Sequence, residues 1–297
     1  NFGRAGKGVD STENTQYEQF ANDCAKGLVY KVKKRLIRKF DATLLYKFKR
    51  VIIMTYNYKG SMFDLVLQQA GINPEIEYFG KTVADVKPLI KINMDEKMNA
   101  VGVARNPKNM VKDGKFPTLT STYFKKDAEG KKVAYPEINK FFYNKLYNMW
   151  LQREKVAVER RLWTCFKPDM MEISKGTGKT NRFSSQWLAY NTKATNDYDQ
   201  TDHLAFLVNA YVAPDFVLVL TWNGIKFNQD HYALNILIQW IFRSAIRQKT
   251  PREIDVYIPS ERMRNLLIGW LNGDVITYAD DWFKREPKQL SFLLPVI

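Results

Sequence analysis

Segments of strand length and helix length alternate through the last third of this chain, and that alternation restricts the fold more than any other feature. Residues 187–190 have the length of a short strand, 191–200 form a polar loop, 201–211 read as a helix and 216–222 as a buried strand. Asn223-Gly224 then supplies a turn before a long helical stretch over 230–247. Pro251 interrupts the chain ahead of the apolar run 254–258; Pro259-Ser260 opens another helix that Asn272-Gly273 closes, and 275–278 again has strand character. Strands separated by helices of this length need crossover connections. The expected architecture is therefore α/β, a mostly parallel sheet with helices on both faces.

A further βα unit stands earlier. Residues 50–56 form a short β-branched run, Ser61 is placed to cap a helix over 62–70, and Gly71 stops it. Residues 1–15 read as a tail, and 19–49 as an amphipathic helix. Val29, Val32, Leu36, Ile37 and Phe40 line its apolar side, opposite Lys31, Lys33, Lys34, Arg35, Arg38 and Lys39. The organisation this suggests is an N-terminal tail and basic helix (1–49), an α/β domain made of 50–76 and 186–297, and an inserted helical and loop-rich region, basic and aromatic, at 77–185.

Charge narrows the partner. Lys and Arg total 46 against 31 acidic residues, a formal +15, and cations on phosphate release condensed counterions. A polyanion is expected, DNA first and RNA not excluded, with Lys31, Lys34, Arg35 and Arg38 as candidate contacts. No apolar run reaches the ~18 residues a membrane span needs, and no leader or lipidation signal is seen. Cys24 and Cys165 form neither a disulfide framework nor a zinc motif, so a reducing, cytoplasmic setting is expected. His203 and His231 are assigned structural places and no metal ligand.

The segment Gln239-Trp240-Ile241-Phe242-Arg243-Ser244-Ala245-Ile246-Arg247 carries the most specific chemistry. If helical throughout, it presents Gln239, Arg243 and Arg247 along one stripe, with Leu237, Ile238, Ile241 and Ala245 on the other side. Guanidinium forks so placed match phosphate oxygens. QWIFRSAIR resembles the sixth motif of superfamily 2 helicases, although Phe242 stands at the usual glycine and Arg247 lies one position late. Lys193 to Tyr198 is similar to the fifth motif of that family, and 52–61 to the fourth.

This resemblance implies the second, RecA-like motor domain of a helicase. Arg243 would be its arginine finger, Arg247 and Gln239 would be catalytic partners, Thr195 and Asn196 would touch nucleotide, and Lys193 would touch nucleic acid. ATP and Mg2+ are then expected only with a first RecA-like domain, so that this chain alone hydrolyses no ATP. Because the chain begins with Asn1, the same reading expects such a domain upstream. Arg262 and Arg264, in the first turn of the helix after Ser260, are further candidates for nucleic-acid phosphate.

Other patterns keep alternatives open. Residues 176–180 (GTGKT) approach a phosphate loop, but Ile173 occupies the position of its first glycine. Pro168, Asp169, Glu172 and Lys175 echo a divalent-metal nuclease motif with wrong spacing. Tyr143, Tyr147, Trp150, Trp163 and Trp187 lie among basic residues, a mixture suited to stacking on bases. The rivals to a motor half are a nucleic-acid-binding structural or packaging protein, viral in character, and a metal-dependent nuclease.

Overall fold

The structure, a computed structural model, describes residues 15–55, 58–77, 80–99, 119, 137–175, 182–192 and 195–274. Helix α1 (Thr15–Ala25) runs into an antiparallel hairpin of β1 (Val29–Val32) and β2 (Arg35–Arg38), paired from Val29↔Arg38 to Val32↔Arg35. A 3-10 turn (Ala42–Lys47) follows, and then α2 (Met62–Gln69), which Ser61 caps by accepting from the Asp64 amide at 3.2 Å.

Next come α3 (Val83–Val86), β3 (Ile90–Ile92), α4 (Glu96–Asn99) and α5 (Glu137–Leu146), which continues as a π-helical turn (Tyr147–Arg153). The remaining elements are β4 (Arg161–Thr164), α6 (Met170–Lys175), β5 (His203–Phe206), α7 (Pro214–Trp222), α8 (Gln229–Ile241), β6 (Ile254–Tyr257) and α9 (Glu261–Asn272).

Strands β3, β6, β5 and β4 lie in that order in one sheet, every neighbouring pair parallel. Because side chains alternate along a strand, each strand feeds both faces. Leu162, Leu204, Phe206, Ile254 and Val256 meet Leu237 and Trp240 of α8 and Met263 and Leu267 of α9 on one face. Trp163, Ala205 and Tyr257 meet Phe142 and Leu146 of α5, Trp150 and Ile173 on the other. The two-faced α/β sheet read from the sequence is the observed one, and its organisation is Rossmann-like.

Several assignments within it change. Residues 201–211 hold β5 instead of a helix: both faces of the sheet are covered, so 204–210 are all buried and no alternation survives to mark a strand. Residues 216–222 are helical, because Pro214 sets the first turn and only Val219 and Leu220 are buried. The 19–49 stretch is not one helix. α1 ends at Ala25, Gly27 adopts φ 67°, and the basic residues continue into the hairpin.

Residues 51–55 belong to no strand, with Ile52 71% and Met54 94% exposed. Trp187 makes a single parallel bridge to Trp163 in place of a strand. The region expected to be an insertion, 77–185, contributes β3 and β4, so the sheet cannot be built from 50–76 and 186–297 alone. The expected strand at 275–278 and the loop 176–180 lie outside the described residues.

Candidate nucleic-acid interface

Ten Lys and Arg and a single Asp stand between residues 26 and 50, leaving +9 of the chain's +15 in that segment. The segment folds as the hairpin and the turn after it. A two-residue loop, Lys33-Lys34, joins β1 to β2, and Lys33 sits in the left-handed region at φ 52°. Tight hairpin loops favour Asn and Gly there because positive φ strains a side chain. This tip instead carries two cations.

The hairpin is seated on α7. The Tyr30 hydroxyl donates to Asn223 Oδ1 at 2.9 Å, and Lys33 and Arg35 each approach Asp215 at 3.5 Å. Arg38 pairs with the buried Asp23 at 2.7 Å. A cavity of about 460 Å³ opens between β2 and the start of α7, lined by Arg35, Leu36, Arg38, Asp215 and Phe216. Lys31, Lys34, Lys47, Lys49 and Arg50 are exposed. Of the four hairpin residues expected to contact phosphate, Lys31 and Lys34 are therefore presented to solvent, while Arg35 and Arg38 also serve to tie the hairpin down.

The residues assigned to a motor site have a different arrangement. α8 ends at Ile241, so Gln239, Arg243 and Arg247 do not share one helix. Gln239 is exposed on its last turn, Arg243 lies past its C-terminus, and Arg247 falls in a separate 3-10 turn. Arg243 is 9% exposed; its guanidinium donates to the Thr195 carbonyl at 3.2 Å and to the Thr192 carbonyl. Burial, with Arg247 nearby, pulls its pKa below the usual arginine value. Arg247 donates to Asn196 Oδ1.

The two arginines and Thr195 and Asn196 thus do meet, the guanidinium groups holding Thr192, Thr195 and Asn196 as a clamp. Their position follows from chain direction. α8 leads into β6, and the Ala245 amide donates to the Thr201 carbonyl just before β5 at 2.8 Å. The cluster is at the amino ends of the strands, whereas parallel sheets bind ligands beyond their carboxyl ends. Two carbonyls at the negative end of a helix attract a cation. The reading of Arg243 as a projecting finger is corrected accordingly, and Arg247 and Gln239 lose the helical stripe that made them its partners. Lys193 lies outside the described residues.

Arg262 and Arg264 do stand at the carboxyl end of β6, at the start of α9. Arg262 contacts Asp230 through Nε at 2.8 Å and Nη2 at 2.6 Å, Asn209 Oδ1 at 2.8 Å, the Ala210 carbonyl at 2.9 Å and the Gln229 carbonyl at 3.1 Å. Those five contacts match the five N–H donors of a guanidinium, which also lies 4.1 Å from the Tyr211 ring centre. Arg264 donates to the Ile258 carbonyl at 2.8 Å, and burial lowers its pKa. Arg262 joins the segment after β5 to α8 and α9, and Arg264 ties the first turn of α9 to the end of β6. They hold the fold together and are corrected as phosphate contacts.

Residues 84–271 match the family described as the YonV C-terminal Rossmann-like domain. The chain belongs to this family. It is also similar to the SPbeta prophage-derived uncharacterized protein YonV of Bacillus subtilis (strain 168), 29% identical over 255 residues that cover 84% of this chain. The match covers 58% of that relative, so the chain spans somewhat under two thirds of its length. No solved structure matches.

The YonV C-terminal match runs from α3 into α9 and so contains all four parallel strands. The basic hairpin precedes it. Within the matched domain, of the rings suited to stacking on bases, Trp150 and Trp163 are buried, Tyr143, Tyr147 and Trp187 are partly buried, and Tyr143 and Tyr147 stack at 5.9 Å with Arg182 over the Tyr147 ring. Asp169 is buried and Glu172 accepts from Asn139 at 2.6 Å. No group of three or more His, Cys, Asp or Glu positioned for a metal occurs among the described residues, and no described helix is long and apolar enough to cross a membrane.

What the sequence reading passed over is Tyr46-Lys47-Phe48-Lys49-Arg50, where exposed rings and cations alternate. The signal was present in the sequence. Helical periodicity over 19–49 hides it by placing the segment at the end of a helix.

Proposed function

We propose that this protein binds nucleic acid, DNA foremost, through the basic hairpin segment 26–50, which the Rossmann-like domain carries as a rigid mount. One observation carries the reading: +9 of the +15 net charge falls on those residues, and the hairpin tip holds Lys33 in a strained left-handed conformation. A two-stranded ribbon is narrow enough to enter a major groove. The prophage origin of the relative fits a protein of a mobile element.

A motor function would need ATP, Mg2+, a first RecA-like domain and a free arginine. Arg243 and Arg262 are engaged within the fold, so binding is the reading we adopt. It is tested by measuring affinity for a labelled 20-bp duplex across a KCl series. Five exposed cations, each on a phosphate, give a slope of log K against log salt of about −4.5, at about −0.9 per contact. Lys31→Glu with Lys34→Glu should weaken binding at least about tenfold and flatten the slope by about 2. Affinity indifferent to salt, or unmoved by the double charge reversal, rejects the proposal.

A further inference from the structure

Resting on that reading, we infer that Tyr46 and Phe48 form a stacking platform that makes unpaired, single-stranded nucleic acid the preferred ligand. Tyr46 is 70% exposed and Phe48 64% exposed. Tyr46 stands in the 3-10 turn and Phe48 just past it, with φ −108° and ψ 138° and its amide held to the Leu45 carbonyl at 3.3 Å, and the chain bends at residues 48 and 49. Both rings are open to solvent on either side of the end of the turn. Phe40, by contrast, packs on Phe63 of α2 with ring centres 5.5 Å apart, which anchors the turn from below.

Within 46–50 the order is ring, cation, ring, cation, cation, with no acidic residue. Such a strip meets a polyanion with its cations and a row of flat apolar faces with its rings. Only a single strand offers both together, since in a duplex the faces of the bases are already stacked on one another.

The experiment uses the full chain and fluorescence anisotropy with a labelled 20-nucleotide oligo(dT) and a 20-bp mixed-sequence duplex at one KCl concentration. The single strand should bind at least about tenfold more tightly. Tyr46→Ala with Phe48→Ala should lower its affinity by about tenfold or more, in line with the cost of losing a base–aromatic stack, and leave the duplex within about twofold. Tyr46→Phe with Phe48→Trp, which keeps the stacking surface, should keep the affinity. Circular dichroism checks that each variant is folded.

Equal loss on both ligands, or on neither, overturns the inference. So does loss of binding to phosphatidylglycerol vesicles, or of self-association in sedimentation, with oligo(dT) affinity unchanged. Salt-dependent duplex binding that needs Lys31 and Lys34 but not the rings overturns this inference alone, whereas absence of binding to both nucleic acids removes the proposed function as well.

Discussion

Replacing Arg243 separates a structural clamp from a projecting side chain. In the clamp, two charged N–H donors reach the carbonyls of Thr192 and Thr195, one at 3.2 Å, from a side chain almost fully withdrawn from water. Hydrogen bonds with one charged partner contribute about 1.5–3 kcal/mol each. Thr192 and Thr195 are only half-buried, so water can rehydrate part of what Arg243→Ala leaves open. A net loss of about 2–3 kcal/mol follows, or roughly 4–12 °C in Tm for a domain of this size at about 2–4 °C per kcal/mol.

Arg243→Lys should recover roughly half of that, because an ammonium group lacks the planar fork that spans two carbonyls. Arg247→Ala, at an exposed position, should cost under about 0.5 kcal/mol. The assay is urea unfolding followed by circular dichroism, with amide hydrogen exchange read at Thr192 and over residues 195–198, where protection should fall first. An Arg243→Ala variant as stable as the native chain, with unaltered exchange at those residues, would refute the clamp and return Arg243 to the set of free cations.

Two further outcomes follow from burial. Cys24 is exposed and Cys165 is buried, its thiol pKa pushed up by desolvation and by Asp169 nearby, so Ellman's reagent should titrate one thiol in the native protein and two in denaturant; two reacting natively would contradict the packing around β4. Burial also lowers the pKa of His231, whose Nδ1 lies 3.2 Å from Asn235 Nδ2. The unfolded chain takes up this proton near about pH 6.5 while the folded one resists, so the contribution of His231 is present above that pH and is lost as the pH falls. Stability should decline from about pH 7 to 5, less steeply in His231→Gln, and identical slopes would exclude the residue as the source.

The sequence by itself determined the class of the fold and the sign of the partner. Apolar segments of strand length spaced by helix-length ones leave a parallel sheet with covered faces as the economical packing, and the caps at Ser61 and Ser260 and the stops at Gly71 and Gly273 are local chemistry that survives in the structure. Net charge is additive, so +15 is the same however the chain folds.

Which apolar run becomes strand and which becomes helix was decided by tertiary structure. Residues 204–210 are buried on every side, which erases the period that would mark a strand, and 216–222 are apolar with three β-branched residues but start behind Pro214, with only Val219 and Leu220 buried. Function depended on the same decision. Whether an arginine is a finger or a clamp is set by where its helix ends and which carbonyls lie there. Spacing along the sequence carries no such information, and for that reason Arg243 reads as a phosphate ligand in one dimension and as a loop anchor in three.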